Sequence, residues 1–141
     1  MNSFKIKLYS FLASIIFIPI AMLGQFFGRF IGMFLAWFNS LFTFFSMPII
    51  FSTITVGFVS GAFGGWIAAK AVMRMNRIFD FKWAIILPSI TLVLALMGTL
   101  NGYFNKNDNF YLFVEQFISN LSLIILYVVT LKDEANFKLN K

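Results

Sequence analysis

The chain contains no cysteine and no histidine. Without cysteine there is no disulfide, no thiolate nucleophile and no sulfur-ligated metal. Without histidine there is no imidazole for zinc or for proton transfer near neutral pH. Charge is scarce as well: 11% of the 141 residues are charged, where soluble domains carry about 25%. Between Leu8 and Ala69 the only ionisable side chains are Tyr9 and Arg29, and no water-facing surface can be built from such a stretch. No HExxH, P-loop, GxSxG or paired-carboxylate constellation occurs, and the adjacent Asp133 and Glu134 lie in a charged tail. The sequence therefore assigns no catalytic residue, no metal site and no cofactor.

What remains is apolar. Hydrophobic residues make up 60% of the chain, 21 of them Phe, and the mean hydropathy is +0.88. These values fit an integral membrane protein, with the lipid bilayer as its first partner. The formal net charge of +6 is not a nucleic-acid signal. The basic residues flank apolar segments in small groups, as orientation signals do, and form no continuous basic face.

A span needs about 20 apolar residues, because a ~30 Å hydrocarbon layer is crossed at 1.5 Å per residue. Residues 83–104 and 110–131 each satisfy this, separated by the polar NKNDN at 105–109. Lys70, Arg74, Arg77 and Lys82 precede the first of these spans, and Lys132, Lys138 and Lys141 follow the second. By the positive-inside rule both groups are cytoplasmic, as are Lys5 and Lys7. The segment 8–69 must then cross an even number of times, and its length suits two crossings. Pro48 in SMPI marks the break, since it lacks an amide hydrogen and restricts the residue before it. Lys5, Lys7 and the apolar run Leu8–Ile18 have the look of a leader, but no A-x-A site follows, so the segment reads as retained.

The expected fold is all-α: a polytopic integral membrane protein with four transmembrane helices in two antiparallel hairpins. The favoured layout places 1–19 as an amphipathic, interfacial N-terminal helix, with Ser3, Lys7, Ser10 and Ser14 as its polar stripe. Spans follow at 20–46, 49–73, 83–104 and 110–131, and 132–141 form a cytoplasmic tail. A second layout has 6–27 cross and 30–47 lie at the outer face. The implied location is the plasma (inner) membrane, with both termini cytoplasmic.

Glycine interrupts this apolar chain at regular intervals. Gly24, Gly28 and Gly32 fall every fourth residue, as do Gly57, Gly61 and Gly65. Residues four apart share one helix face, so each run is a strip almost free of side chains. Lipid tails give helices no hydrophobic reason to associate, and small-residue strips permit the close backbone approach that does hold them. Two strips on consecutive helices are expected to face each other, with the Phe rings turned to lipid. The same strips could instead join subunits. A weaker pattern, Thr91, Ala95, Gly98 and Gly102, lies in the third span.

Polar residues inside the spans need partners. Gln25, Arg29, Asn39, Thr43 and Ser46 recur along one face of the first long helix, and Glu115, Gln116, Ser119, Asn120 and Ser122 crowd the start of the last. Asn39, Thr43, Asn101, Glu115, Gln116, Ser119 and Asn120 are expected to line an outward-facing polar pocket. Arg29 and Glu115 are the candidate intramembrane charges, each expensive enough to be a functional candidate, at about 2.5–3.5 kcal/mol on insertion scales. In the favoured layout they occupy opposite leaflets and cannot pair; in the second layout they can. Tyr9, Trp66, Trp83, Tyr103 and Tyr111 are placed as interfacial anchors, whereas Trp37 falls in mid-helix without a reason.

Two functions are compatible with these features, ahead of a distant third, an enzyme acting on lipid. One is a non-catalytic membrane subunit that self-assembles as a homo-oligomer, or joins a larger membrane complex, through glycine-zipper packing. The alternative is an oligomeric pore or small transporter using the pocket around Glu115.

Overall fold

The computed structural model describes residues 2–42, 49–75, 80–106 and 109–139. Nearly all of them are helical, in five elements: α1 (Ser3–Ser14), α2 (Phe17–Phe42), α3 (Ile49–Met75), α4 (Phe81–Lys106) and α5 (Phe110–Leu139). Among the described residues, four stretches are long and apolar enough to cross a membrane: Ser3–Asn39, Ile49–Arg74, Phe81–Asn105 and Phe110–Glu134. The chain is thus a multi-pass membrane protein.

The first of those stretches joins α1 to α2 through a tightened turn. Pro19 has no N–H to offer the carbonyl of Ile15. Around it the bonding shortens to i→i−3: Ile15 N–H to Leu12 O at 3.1 Å, Ile16 N–H to Ala13 O at 3.3 Å, and Ile18 N–H to Ile15 O at 3.4 Å. The break therefore falls at Ile15–Ile16, ahead of the expected boundary at 19. The polar stripe of α1 is also reassigned, since Ser10 and Ser14 are fully buried. Ser10 Oγ donates to Ile6 O at 2.8 Å and accepts the Asp80 N–H at 2.8 Å. Ser10 thus faces the residue that precedes α4, Ser14 bonds back to Phe11 within α1, and Ser3 and Lys7 alone of the stripe stay exposed.

At the centre stands α3, with α2 on one face and α5 on the next. α4 packs on α5, and α1 packs on α4. The glycines set this arrangement. A Cβ built on Gly24 would lie 2.6 Å from Gly64 Cα, one on Gly28 2.9 Å from Ser60 Cα, and one on Gly32 2.9 Å from Val56 Cα. The falling partner numbers make α2 and α3 antiparallel. A Cβ on Gly57 would lie 2.6 Å from Glu115 O, one on Gly61 2.7 Å from the Ser119 carbonyl carbon, and one on Gly65 3.1 Å from Tyr127 N. Here the numbers rise together, so α3 and α5 run parallel.

The two glycine runs therefore do not face each other, contrary to expectation. The run on α2 meets Val56, Ser60 and Gly64, and the run on α3 meets α5 instead. The reason is that α3 is thin on two neighbouring faces. Val56, Ser60, Gly64 and Ala68 recur every fourth residue, immediately beside Gly57, Gly61, Gly65 and Ala69. The large rings of α2, among them Phe26, Phe27, Phe30 and Phe34, remain on the exposed side.

Below these seams the bundle closes on a dry base. Ala68, Ala69, Val72, Ala84, Tyr127 and Leu131 are buried there, and the ring of Phe17 meets that of Tyr127 edge-on at 4.6 Å. Pro88 lies inside α4 and cannot donate to Ala84 O. The Tyr127 hydroxyl supplies that hydrogen bond at 3.0 Å. Asp80 and Asn109 start the last two helices. Asp80 Oδ1 accepts the Lys82 N–H at 3.0 Å, and Asn109 Oδ1 accepts the Tyr111 N–H at 3.0 Å, as residues capping helix N-termini do.

Candidate functional site

Above the base, α2 and α4 diverge and barely touch. The opening between them is a cleft of about 390 Å³, backed by α3 and α5. That volume lies within the range of small-molecule sites, about 300–1,000 Å³.

Its floor is a hydrogen-bond circuit linking three helices. Gln25 Nε2 donates to Ser119 Oγ at 3.1 Å and to Asn120 Oδ1 at 3.3 Å. Ser119 Oγ donates to Ser60 Oγ at 3.3 Å, and Ser60 Oγ donates to the Gln25 carbonyl at 2.9 Å. Below it, Ser122 Oγ lies 3.2 Å from Phe58 O and 3.1 Å from Ser119 O. Donors and acceptors match around the circuit. Among the described residues no buried side-chain nitrogen or oxygen lacks a partner, as a site without bulk water demands.

On one wall of the cleft Arg29 Nε meets Glu115 Oε1 at 3.0 Å. Here the favoured layout is corrected, because it separated these residues into opposite leaflets. Phe17 packs on Tyr127 and Arg29 on Glu115, an interval of twelve residues on each helix, so α2 and α5 run antiparallel at matched rise. Glu115 is five residues into α5, and α2 brings Arg29 to that level because it starts at Phe17. Arg29 accordingly does not snorkel toward the basic end of the molecule. The pair is unevenly covered: the Arg29 side chain is 51% exposed and that of Glu115 19%. Held by Nε alone in this contact, the guanidinium presents further N–H donors to the cleft, and the carboxylate has spare lone pairs.

Of the expected pocket residues, Glu115, Gln116, Ser119 and Asn120 line this cleft. Asn101 does not; it is exposed and bonds Asn105 one turn along α4. Asn39 is exposed toward the far end of α2 and is not part of the lining, and Thr43 lies outside the described residues. The distance of Asn39 follows from the same register, which carries residue 39 past the start of α5. Residues not foreseen as lining are Gln25 and Arg29, expected only on a polar helix face, and Ser60, Thr99, Ala95, Met22 and Phe26. Ser60 had a readable signal, the second small-residue strip on α3. Thr99 and Ala95 had none, since their place depends on how α4 leans from α2.

Trp37 also gains a position. It lies beyond the level of Arg29 on α2, beside Phe34 at 5.9 Å between ring centroids. Near the base, Lys70 and Glu134 form an ion pair on the surface of α3 and α5. Among the described residues no group of three or more metal-ligating side chains occurs. No family model, curated protein or solved structure matches the chain, so the functional reading rests on this geometry.

Proposed function

We propose that the chain is a non-catalytic membrane subunit whose working surface is a ligand-binding cleft between α2 and α4. The observation that carries this reading is the Arg29–Glu115 ion pair, set in an open cleft above a fully satisfied polar floor. Two opposite charges inside a membrane segment are costly.

The proposed orientation places the α1 end, the connection before Asp80 and the C-terminal end of α5 in the cytoplasm, at the plasma membrane. Lys5, Lys7, Lys70, Arg74, Lys82 and Lys132 gather toward that end, in accord with the positive-inside rule. The cleft then opens outward, and Trp37 joins Trp83 and Tyr111 as an interfacial anchor.

Self-assembly through the glycine strips has less support, because both strips are occupied within one chain. Association with a second copy or a larger partner would use other faces, such as the exposed rings of α2. A pore through a single chain also has little support, since the cleft ends on the dry base around Tyr127 and Leu131.

The absence of native cysteine makes the outward cleft directly testable. Single variants Gln116→Cys, on the cleft wall, and Lys132→Cys, at the base, are exposed to a membrane-impermeant maleimide on intact cells. Gln116→Cys should label at once and Lys132→Cys only after permeabilisation. Failure of Gln116→Cys to label in intact cells refutes an outward cleft, and the inverse pattern reverses the orientation.

A further inference from the structure

The polar cleft does not stop at Gln25. A second cleft of about 260 Å³ continues toward the base, and the two share Met22, Gln25, Ala95 and Asn120. Phe17 and Ala21 of α2 and Leu92 of α4 wall the continuation, with Leu123 behind them. The chemistry changes along this groove: an ion pair and amides at one end, hydrocarbon at the other. From Arg29 to Phe17 it follows twelve residues of α2, or about 18 Å at 1.5 Å per residue. One leaflet's hydrocarbon is about 15 Å thick. The groove also opens sideways between two membrane-spanning helices that barely touch, so an occupant can enter from the bilayer without crossing water.

The polar end holds one positive and one negative group. A purely anionic head would meet the Glu115 carboxylate, and a purely cationic one the Arg29 guanidinium. A head carrying both signs complements both. Glu115 spends one oxygen on Arg29 Nε and keeps acceptor capacity for an ammonium, while the guanidinium keeps donors for a phosphate.

Building on the cleft being a ligand site, we infer that the groove holds one amphiphile with a zwitterionic, amine-bearing head group. Its phosphate rests on Arg29 and its ammonium on Glu115, and its acyl chain runs past Ala95 toward Phe17. An ethanolamine-type head fits this description. A choline head does not, because its quaternary nitrogen has no N–H to donate to the carboxylate.

The test uses the full chain in a maltoside detergent, read by native mass spectrometry. The probes are lysophosphatidylethanolamine, lysophosphatidylcholine and lysophosphatidylglycerol of one acyl length, and glycerophosphoethanolamine, which has the head without the chain. One lysophosphatidylethanolamine should bind per chain, about tenfold more tightly than the other two lysolipids, as one charge-assisted hydrogen bond of about 1.5 kcal/mol implies, and glycerophosphoethanolamine should bind more weakly still than its acylated form, because it buries no chain. Glu115→Gln should erase the preference for ethanolamine over choline. Ala95→Phe fills the passage shared by both clefts from an exposed position and should weaken binding by a similar factor. Val93→Phe, also at an exposed position but outside the groove, should not. Equal binding of the three lysolipids overturns the head-group assignment, and indifference to Ala95→Phe overturns the path of the chain. Glycerophosphoethanolamine binding as tightly as its acylated form overturns the groove but leaves the polar cleft standing. Absence of binding by all four probes overturns both.

Discussion

Gly61→Ala adds one methyl group at the tightest point between α3 and α5. Its Cβ would overlap the carbonyl oxygen of Ser119 and stand 2.7 Å from the carbonyl carbon, where ordinary contact begins at 3.4 Å. The obstruction is backbone, so no side chain can rotate away. Relief requires the helices to part by at least the 0.7 Å difference, and further for the oxygen. Gaps of about 0.5–1 Å forfeit a quarter to a half of each contact's attraction. The seam spans three glycines, so the loss is multiplied along it, and in lipid no hydrophobic effect compensates. Overpacking of this kind costs about 1–3 kcal/mol, and the upper end applies here because Ser122 Oγ is also displaced from Phe58 O and Ser119 O. Three kcal/mol is about a hundredfold in the folding equilibrium.

The matched control lies in the same protein. A Cβ on Gly98 would meet nothing within 4 Å, and alanine is the better helix former by about 1 kcal/mol. Gly98→Ala should therefore be neutral or slightly stabilising. Unfolding of both variants in a mild detergent, by titration with dodecyl sulfate and circular dichroism, compares them directly. Phe58→Leu, at an exposed position beside the seam, should resemble Gly98→Ala. Equal stability of Gly61→Ala and Gly98→Ala would refute the close-packing argument, since helix propensity alone cannot separate them.

The remaining predictions concern single polar contacts. Tyr127→Phe strands the Ala84 carbonyl in the dry base and should cost about 1–3 kcal/mol; in Pro88→Ala the restored N–H takes over, and the cost should fall toward zero in the double variant. Persistence of the full cost beside Pro88→Ala would show that Tyr127 does not act through that carbonyl. Gln25→Leu removes the donor shared by Ser119 and Asn120 and should cost about 1–2 kcal/mol, whereas Thr99→Val on the cleft wall should stay within about 0.5 kcal/mol, both read by the same unfolding titration. Lys70→Met breaks only a partly exposed pair and should change stability by under about 1 kcal/mol, an effect that shrinks further at high salt. A larger, salt-independent loss would mean that the lysine stem packs more tightly than its exposure implies.

The spans were legible because composition and length decide them: a run such as Trp83 to Phe104 can be nothing but a membrane helix. The start of α3 at Ile49 was legible from Pro48 in the sequence, while the expected end of the preceding span at 46 lies outside the described residues. The faces of contact were only half legible. Spacing every four residues announces that Gly57, Gly61 and Gly65 make a thin face, but not which helix fills it, and connectivity favoured the wrong neighbour. The depth of Arg29 was misjudged because charge counting fixes which side a loop occupies and says little about where a helix begins. That start depends on Pro19 and on Phe17 reaching Tyr127. The pairing of Pro88 with Tyr127 was invisible, since it requires the register between α4 and α5.

The polar floor of the cleft follows from the thinness of α3. Consecutive residues on a helix are rotated by about 100°, so the faces carrying Ser60 and Gly61 point to different neighbours. A helix with glycine, serine or alanine on both faces draws α2 and α5 inward on adjacent sides and leaves the gap between them too narrow for another helix. It is still too wide for short apolar side chains to close. At the base the rings of Phe17 and Tyr127 meet across it, and above them the side chains that reach across are polar: Gln25 and Arg29 from α2, met by Ser119, Asn120 and Glu115 from α5. The ionic character of the site is in this sense a consequence of the small residues one layer beneath it. Thickening α3 at Ser60, for example by Ser60→Val, should therefore loosen Gln25 and the Arg29–Glu115 pair together, although Ser60 touches neither charge. Separate responses, with Gln25 released and the ion pair unmoved in an amide-resolved spectrum, would mean that α2 and α5 are held in register by something other than α3.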